Sequence, residues 1–211
     1  MADTRSGGSQ SGRRRTDDQE RRRWDRKAGL APERWTLGGS RQWICSRATG
    51  SVLEVGIGSG LNLAHYPDHV GLTAVDFDSQ MLSMARRRDD VVRRVALLQA
   101  DAARLPFAGA SFDSVVCTLA MCEFGDRSAV LAEMYRILRP GGRLLLLDHA
   151  QWRWPLRGRP ATLAVNVGFV PHRRERLRLG LIERLDAHKP AANPAPIVDH
   201  RNKRGAAGVG G

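Results

Sequence analysis

Three glycines at alternate positions, Gly56, Gly58 and Gly60, follow the apolar run around Val52, Leu53 and Val55, and carboxylates stand at Glu54, Asp76 and Asp101. Residues of these types can hold a small ligand. Glycine takes positive φ and lets a ligand come close to the backbone, and the start of a following helix offers free N–H groups. A dinucleotide turn reads Gly-x-Gly-x-x-Gly. Here the third glycine comes one residue early and Leu61 takes the dinucleotide position. Glu54, two residues before Gly56, faces the ligand end of its strand in this reading; it would repel a pyrophosphate and favour a cationic group. Taken alone, the turn also admits a nucleotide-binding fold or a purely structural bend.

The elements that position these residues follow from the pattern. A strand leads into the glycines, and a short helix over 61–66 stops before Pro67. A second apolar strand, 71–76, ends at Asp76, 20 residues beyond Gly56. That is the spacing of a βαβ unit whose second strand ends beside a ribose, where a carboxylate can accept from both hydroxyls. Asp78-Ser79 caps a helix over 80–88 with Met81 and Leu82 turned inward. A third buried strand, 95–100, delivers Asp101, and a fourth, 114–119, runs into Ala120 to Phe124. Asp126 caps a long amphipathic helix that stops at Arg139-Pro140-Gly141-Gly142, ahead of a fifth strand over 143–148. Continuous apolar runs alternating with helices predict parallel strands, with the ligand at their carboxyl ends.

Glu-x-Gly-x-Gly-x-Gly at 54–60 resembles motif I of the class I S-adenosylmethionine-dependent methyltransferases. Asp101 with 102–107, Phe112-Asp113 before the fourth strand, and 138–146 match further motifs of that family. The resemblance spans roughly 33–190, is strongest over 51–148, and is to the ubiquinone/menaquinone-biosynthesis and phospholipid N-methyltransferase-like branch. It implies a Rossmann-like, doubly wound α/β fold: a mostly parallel seven-stranded sheet with an antiparallel closing strand. It also implies S-adenosylmethionine as cofactor, whose sulfonium and ammonium suit an acidic, phosphate-free crevice. Glu54 and Asp76 would position the cofactor, Gly56, Gly58 and Gly60 would shape its cradle, and Asp101 with Ala102 would read adenine. Phe77, Met81 and Leu119 complete the implied cofactor-binding set. His149, past the fifth strand, is the candidate general base, while His65 reads as structural.

Two further readings compete with an active small-molecule or lipid-like methyltransferase. One is a cofactor-binding but inactive module, because the segment between 148 and 168 is shorter than in relatives; the other is a nucleic-acid methyltransferase. Charge bears on the latter. The net +12 divides into 12 basic and 6 acidic residues over 1–50, 10 and 12 over 51–150, and 12 and 4 over 151–211. The segment holding the glycines is thus slightly acidic, which speaks against nucleic acid, whereas the arginine-rich ends admit peripheral contact with an anionic membrane. Residues 1–32 and 190–211 read as disordered tails around a domain over 33–189. Trp35 and Trp43, in one or two short helices over 33–47, are either lid residues or packing for those helices. Cys45, Cys117 and Cys122 show no metal-ligand spacing, and no apolar run is long enough to span a bilayer, so a cytoplasmic protein without disulfides or metal is expected.

Overall fold

The computed structural model describes Leu37 and residues 39–88, 95–150 and 159–191. The tail expected over 1–32, Trp35, and all but the first two residues of the tail expected over 190–211 lie outside these. In chain order the elements are α1 (Ser40–Cys45), β1 (Ser51–Val55), a 3-10 turn (Leu63–His65), β2 (Gly71–Asp76), α2 (Ser79–Arg86), β3 (Val95–Gln99), β4 (Phe112–Thr118), α3 (Arg127–Ile137), β5 (Leu138–His149), α4 (Pro160–Val167), β6 (Val170–Leu177) and β7 (Ile182–His188). The strands form a single seven-stranded sheet in the order β3-β2-β1-β4-β5-β7-β6. Pairing is parallel from β3 to β5, and β7 runs antiparallel to both β5 and β6. The expected parallel sheet with an antiparallel closing strand is therefore observed.

Alternation along the central strands divides the core between two faces, as the period of a strand requires. Leu53, Val55, Val115, Cys117, Leu144 and Leu146 pack against Val130, Leu131, Met134 and Ile137 of α3 and Ala161 and Ala164 of α4. Val52, Leu72, Ala74, Val116, Leu145 and Leu147 face Ile44 and Cys45 of α1 and Leu82 and Ala85 of α2. Burying a side chain such as Ile44, which is fully enclosed, is worth about 1.5–3 kcal/mol. Helix ends are satisfied locally. Asp126 accepts from Ala129 N–H at 2.9 Å, and Lys189 Nζ donates to the carbonyls of Tyr135 and Leu138 at the far end of α3, each at 2.8 Å.

Three elements depart from expectation. The fifth strand, expected over 143–148, runs Leu138–His149 directly after α3 and takes in Pro140-Gly141-Gly142. The helix expected over 61–66 is a single 3-10 turn, because the chain closes with i to i−3 bonds (Leu63 N to Gly60 O, 3.3 Å; His65 N to Asn62 O, 2.8 Å) and Pro67 follows too soon for an α-helix to propagate. The expected third buried strand is the sheet's edge, with Leu98 42% exposed. An apolar run of four residues, Val95 to Leu98, looks the same at an edge as at the centre.

Candidate active site at the carboxyl ends of β1, β2 and β4

The turn after β1 holds its three glycines for three different reasons. All have positive φ: +74° at Gly56, +56° at Gly58 and +80° at Gly60. A Cβ on Gly56 would sit 2.6 Å from Ala120 Cβ, and one on Gly60 would sit 2.9 Å from Leu63 Cδ1 and 3.2 Å from Ala85 Cβ. These two are closed by the protein's own packing. Gly58 alone has open space, with nothing within 4 Å of its would-be Cβ. The backbone there is open to approach.

Asp76, at the end of β2, is brought to that turn. Its Oδ2 accepts from Gly58 N–H at 2.7 Å and its Oδ1 from Asp78 N–H at 2.9 Å. A carboxylate has about four acceptor positions, so two remain for a diol. Phe77 stands beside it, 75% exposed, with its carbonyl held by Gln99 Nε2 at 2.9 Å. Met81 is half-buried on α2 behind it, and Leu82 is the fully inward residue.

Asp101 lies beyond β3 on a loop whose shape α3 fixes. Its Oδ1 accepts from Ala103 N–H at 2.9 Å, and Ala102 is buried. Glu133 Oε2 accepts from Leu105 N–H at 2.8 Å, and Arg136 donates to the carbonyls of Phe107 at 2.8 Å and Leu105 at 3.1 Å. The Arg136 guanidinium also holds the Glu133 carboxyl below its ordinary range. The sequence showed the loop, but gave no sign that an i, i+3 pair 28 residues on would brace it.

Glu54 differs from its expected placement. Its carboxylate does not lie open at the strand's ligand end; it points to the face covered by α1, at 1% exposure. Oε1 accepts from Asn62 Nδ2 at 2.7 Å and Oε2 from the Tyr66 hydroxyl at 3.0 Å. Asn62 Nδ2 also donates to Thr118 Oγ1 at 2.7 Å, and Arg41 Nη1 donates to Asn62 Oδ1 at 2.8 Å and Thr118 Oγ1 at 3.1 Å. Burial pushes the Glu54 carboxyl up to about 7, against the pull of its hydrogen bonds to Asn62 and Tyr66. Asn62, Thr118, Tyr66 and Arg41 were not singled out from the sequence, because single polar residues at a strand end and in a turn carry no spacing signal.

At the end of β4, Leu119 has φ +55°, a conformation disfavoured for a leucine. It is fixed by its N–H donating to Leu147 O at 2.7 Å. The next residues close on β5: Asp148, 2% exposed, accepts from Met121 N–H through Oδ2 at 2.8 Å and from His149 N–H through Oδ1 at 2.6 Å. His149 Nδ1 is 3.5 Å from Asp148 Oδ1. Potential ligand atoms of Cys122, Asp148 and His149 lie within 4.8 Å of one another, a grouping hidden in the sequence because the turn after β4 and the end of β5 supply it. Burial, with Asp148 and Glu123 nearby, pushes the Cys122 thiol up to about 12.

His65 bonds Gln42 Oε1 through Nδ1 at 2.9 Å, the structural role expected of it. Trp43 is covered by guanidinium groups, Arg47 at 3.8 Å and Arg184 at 4.2 Å from its ring centre. It packs α1 onto the sheet.

The chain is similar to known proteins in sequence and in fold. Residues 53–146 match the family model described as a methyltransferase domain. A demethylmenaquinone methyltransferase of Deinococcus radiodurans is 36% identical over 124 residues, 54% of this chain and 52% of that protein. A phosphatidylethanolamine N-methyltransferase of Cereibacter sphaeroides is 35% identical over 119 residues, covering 54% and 59%. The chain thus spans little more than half the length of these curated relatives. Among solved structures, an S-adenosylmethionine-dependent methyltransferase from Mesorhizobium loti superposes with a TM-score of 0.57 at 15% identity, covering 72% of this chain and 97% of that one. The 4+2 cyclase SpnF superposes with 0.62 at 16% identity, covering 74% and 80%. At such identities the likeness concerns the fold alone. Residues 53–146, a little under half of the chain, match the methyltransferase domain family, and the sheet that carries them has the Rossmann-like order.

Proposed function

We propose that this chain transfers the sulfonium methyl group of S-adenosylmethionine to a small-molecule or lipid-like acceptor. The observation that carries the reading is the open backbone over Gly58, bounded by Asp76 and backed by the buried Glu54. Such a crevice suits a cationic nucleoside and penalises a pyrophosphate. The residues fit the group: Asp76 keeps acceptor positions for a ribose diol, Phe77 offers an exposed ring, and Asp101 with Ala102 would read adenine. When bound, the cofactor supplies a methyl group that is already activated. The protein's part is therefore alignment, which accounts for about 7–11 kcal/mol in well-oriented reactions.

The relatives named above act, by their names, on a quinone precursor and on a phospholipid, and we place this chain's acceptor in that chemical range. His149, held at the end of β5 beside Asp148, is the group to take a proton from an acceptor that is protonated at neutral pH. Peripheral contact with an anionic membrane, and a cytoplasmic location, fit this reading. Among the described residues no helix is long and apolar enough to cross a membrane. The test is incubation with methyl-labelled S-adenosylmethionine and separated lipid, quinone, thiol and RNA fractions. Label in the lipid or quinone fraction is expected. Donor binding with no labelled fraction would reduce the chain to a binding module, and uptake of NAD in place of the donor would overturn the reading.

A further inference from the structure

We infer that the tip of the β6–β7 hairpin, residues 178–181, seats the protein on an anionic lipid surface, with Leu179 and Leu181 entering the interface and the arginines of β6 lying on the headgroups. This rests on the lipid-like acceptor reading for its purpose, not for its physics. Leu179 is fully exposed (106%) and Leu181 is 54% exposed. Leu179 also holds φ +56°, between Arg178 at +53° and Gly180 at +85°. Glycine or asparagine would suit that backbone and water better than leucine. Nothing inside the fold gains from a leucine at this point.

The tip's position links it to the site. Ile182 pairs with His149 across β7 and β5, and Ala150 N–H donates to Leu181 O at 2.8 Å. The tip therefore projects from the same end of the sheet as the glycine turn. Three strand intervals separate β7 from β1, about 15 Å at roughly 4.8 Å per interval. A lipid surface touching the leucines would lie beside the mouth of the crevice.

Charge selects the sign of that surface. From 170 to 181 the chain carries Arg173, Arg174, Arg176 and Arg178 against Glu175 alone. Arg174 and Arg176 converge on one oxygen of Glu183, at 2.8 and 3.4 Å, so a single carboxylate faces two guanidinium groups. Arginines on an edge strand also prevent sheet-to-sheet pairing. The apolar tip they flank is what that role leaves unexplained. A paired apolar and basic surface is the combination that binds anionic interfaces.

The test uses the full chain in cosedimentation with vesicles of phosphatidylcholine mixed with phosphatidylglycerol, and with vesicles of phosphatidylcholine alone. Binding to the mixed vesicles, weakened by salt, is expected. The Leu179→Glu/Leu181→Glu variant should partition about tenfold less or weaker still, with unchanged thermal unfolding and donor affinity, and Leu179→Phe/Leu181→Phe should restore binding. Partitioning of the Glu variant equal to the wild type would assign adsorption to the arginine-rich ends and overturn the inference, as would absence of vesicle binding by the wild type. Donor affinity and label transfer are read separately, so their loss sinks the methyl-transfer reading while the vesicle result stands.

Discussion

The backbone N–H of Gly58 donates to Asp76 Oδ2 at 2.7 Å, so the carboxylate proposed to receive a ribose is also the brace of the glycine turn. Asp76→Asn keeps one acceptor oxygen, loses the charge and turns an NH2 toward one of two N–H donors. A charge-assisted hydrogen bond is worth about 1.5–3 kcal/mol. Donor affinity in calorimetry should fall about tenfold or more, with a lower unfolding midpoint. Asp78→Ala is the control: it removes the cap on Gln80 N–H, costs about 1 kcal/mol of stability, and should leave donor affinity near the wild-type value. Equal loss of affinity in both variants would reduce Asp76 to a structural role.

Glu54 should make stability fall with pH. Its folded-state value, about 7, is raised above the ordinary 4.5 by burial. Between these values the native state keeps a proton that the unfolded chain releases. The contribution is complete below about pH 4.5 and is lost as pH rises through about 7, a change of roughly 3 kcal/mol. Urea unfolding across that window should show the decline, and Glu54→Gln should flatten it. Binding of a cationic donor should run the other way, strengthening as Glu54 ionises; a donor affinity indifferent to pH across 6–8 (about one unit either side) would remove Glu54 from the site's electrostatics.

Much of the frame was legible in the sequence. The glycine turn, Asp76 at the end of β2 and the Asp126 cap rest on local rules of turn and cap chemistry, and these act over a few residues, whereas Pro140-Gly141-Gly142, read as a helix stop, lies within β5. The polar lock around Glu54 was not legible. Arg41, Asn62 and Thr118 come from α1, a turn and β4, up to 77 residues apart, and only the folded sheet brings them together. The helix expected after the glycines failed for a local reason, since Asn62 spends its side chain inward and Pro67 ends the turn. The edge position of β3 was equally hidden, because sheet order is not written in any single strand.

Gly56 and Gly58 should respond differently to alanine. Gly56→Ala adds a Cβ 2.6 Å from Ala120 at φ +74°, so conformational strain of about 1–2 kcal/mol adds to overpacking of about 1–3 kcal/mol. Gly58→Ala meets only the conformational strain, at φ +56°, and its methyl group enters the ligand's space. Thermal unfolding should therefore rank Gly56→Ala as the less stable variant, while calorimetry should show Gly58→Ala binding donor poorly despite retaining its fold. A Gly58→Ala variant with unaltered donor affinity would move the cofactor away from the turn.

Asp148 separates alignment from cofactor binding. Its two oxygens receive the N–H groups of Met121 and His149 at 2.8 and 2.6 Å, joining the segment after Leu119 to the end of β5. Asp148→Ala leaves a buried donor at Met121 without its acceptor, at a cost of about 1–3 kcal/mol, and loosens the segment at Met121 and the placement of His149. Asp76, Asp101 and the glycine turn lie on other strands and keep their contacts. The expected outcome is a fall in kcat of about tenfold to a hundredfold, since misplacement of about 1 Å costs about that much, with donor affinity within a few-fold of wild type. Asp148→Asn retains an oxygen for one of the two N–H groups and should lie between the wild type and the alanine variant. If Asp148→Ala weakened donor binding as strongly as it slowed turnover, the carboxyl end of β5 would belong to the cofactor and not to the acceptor.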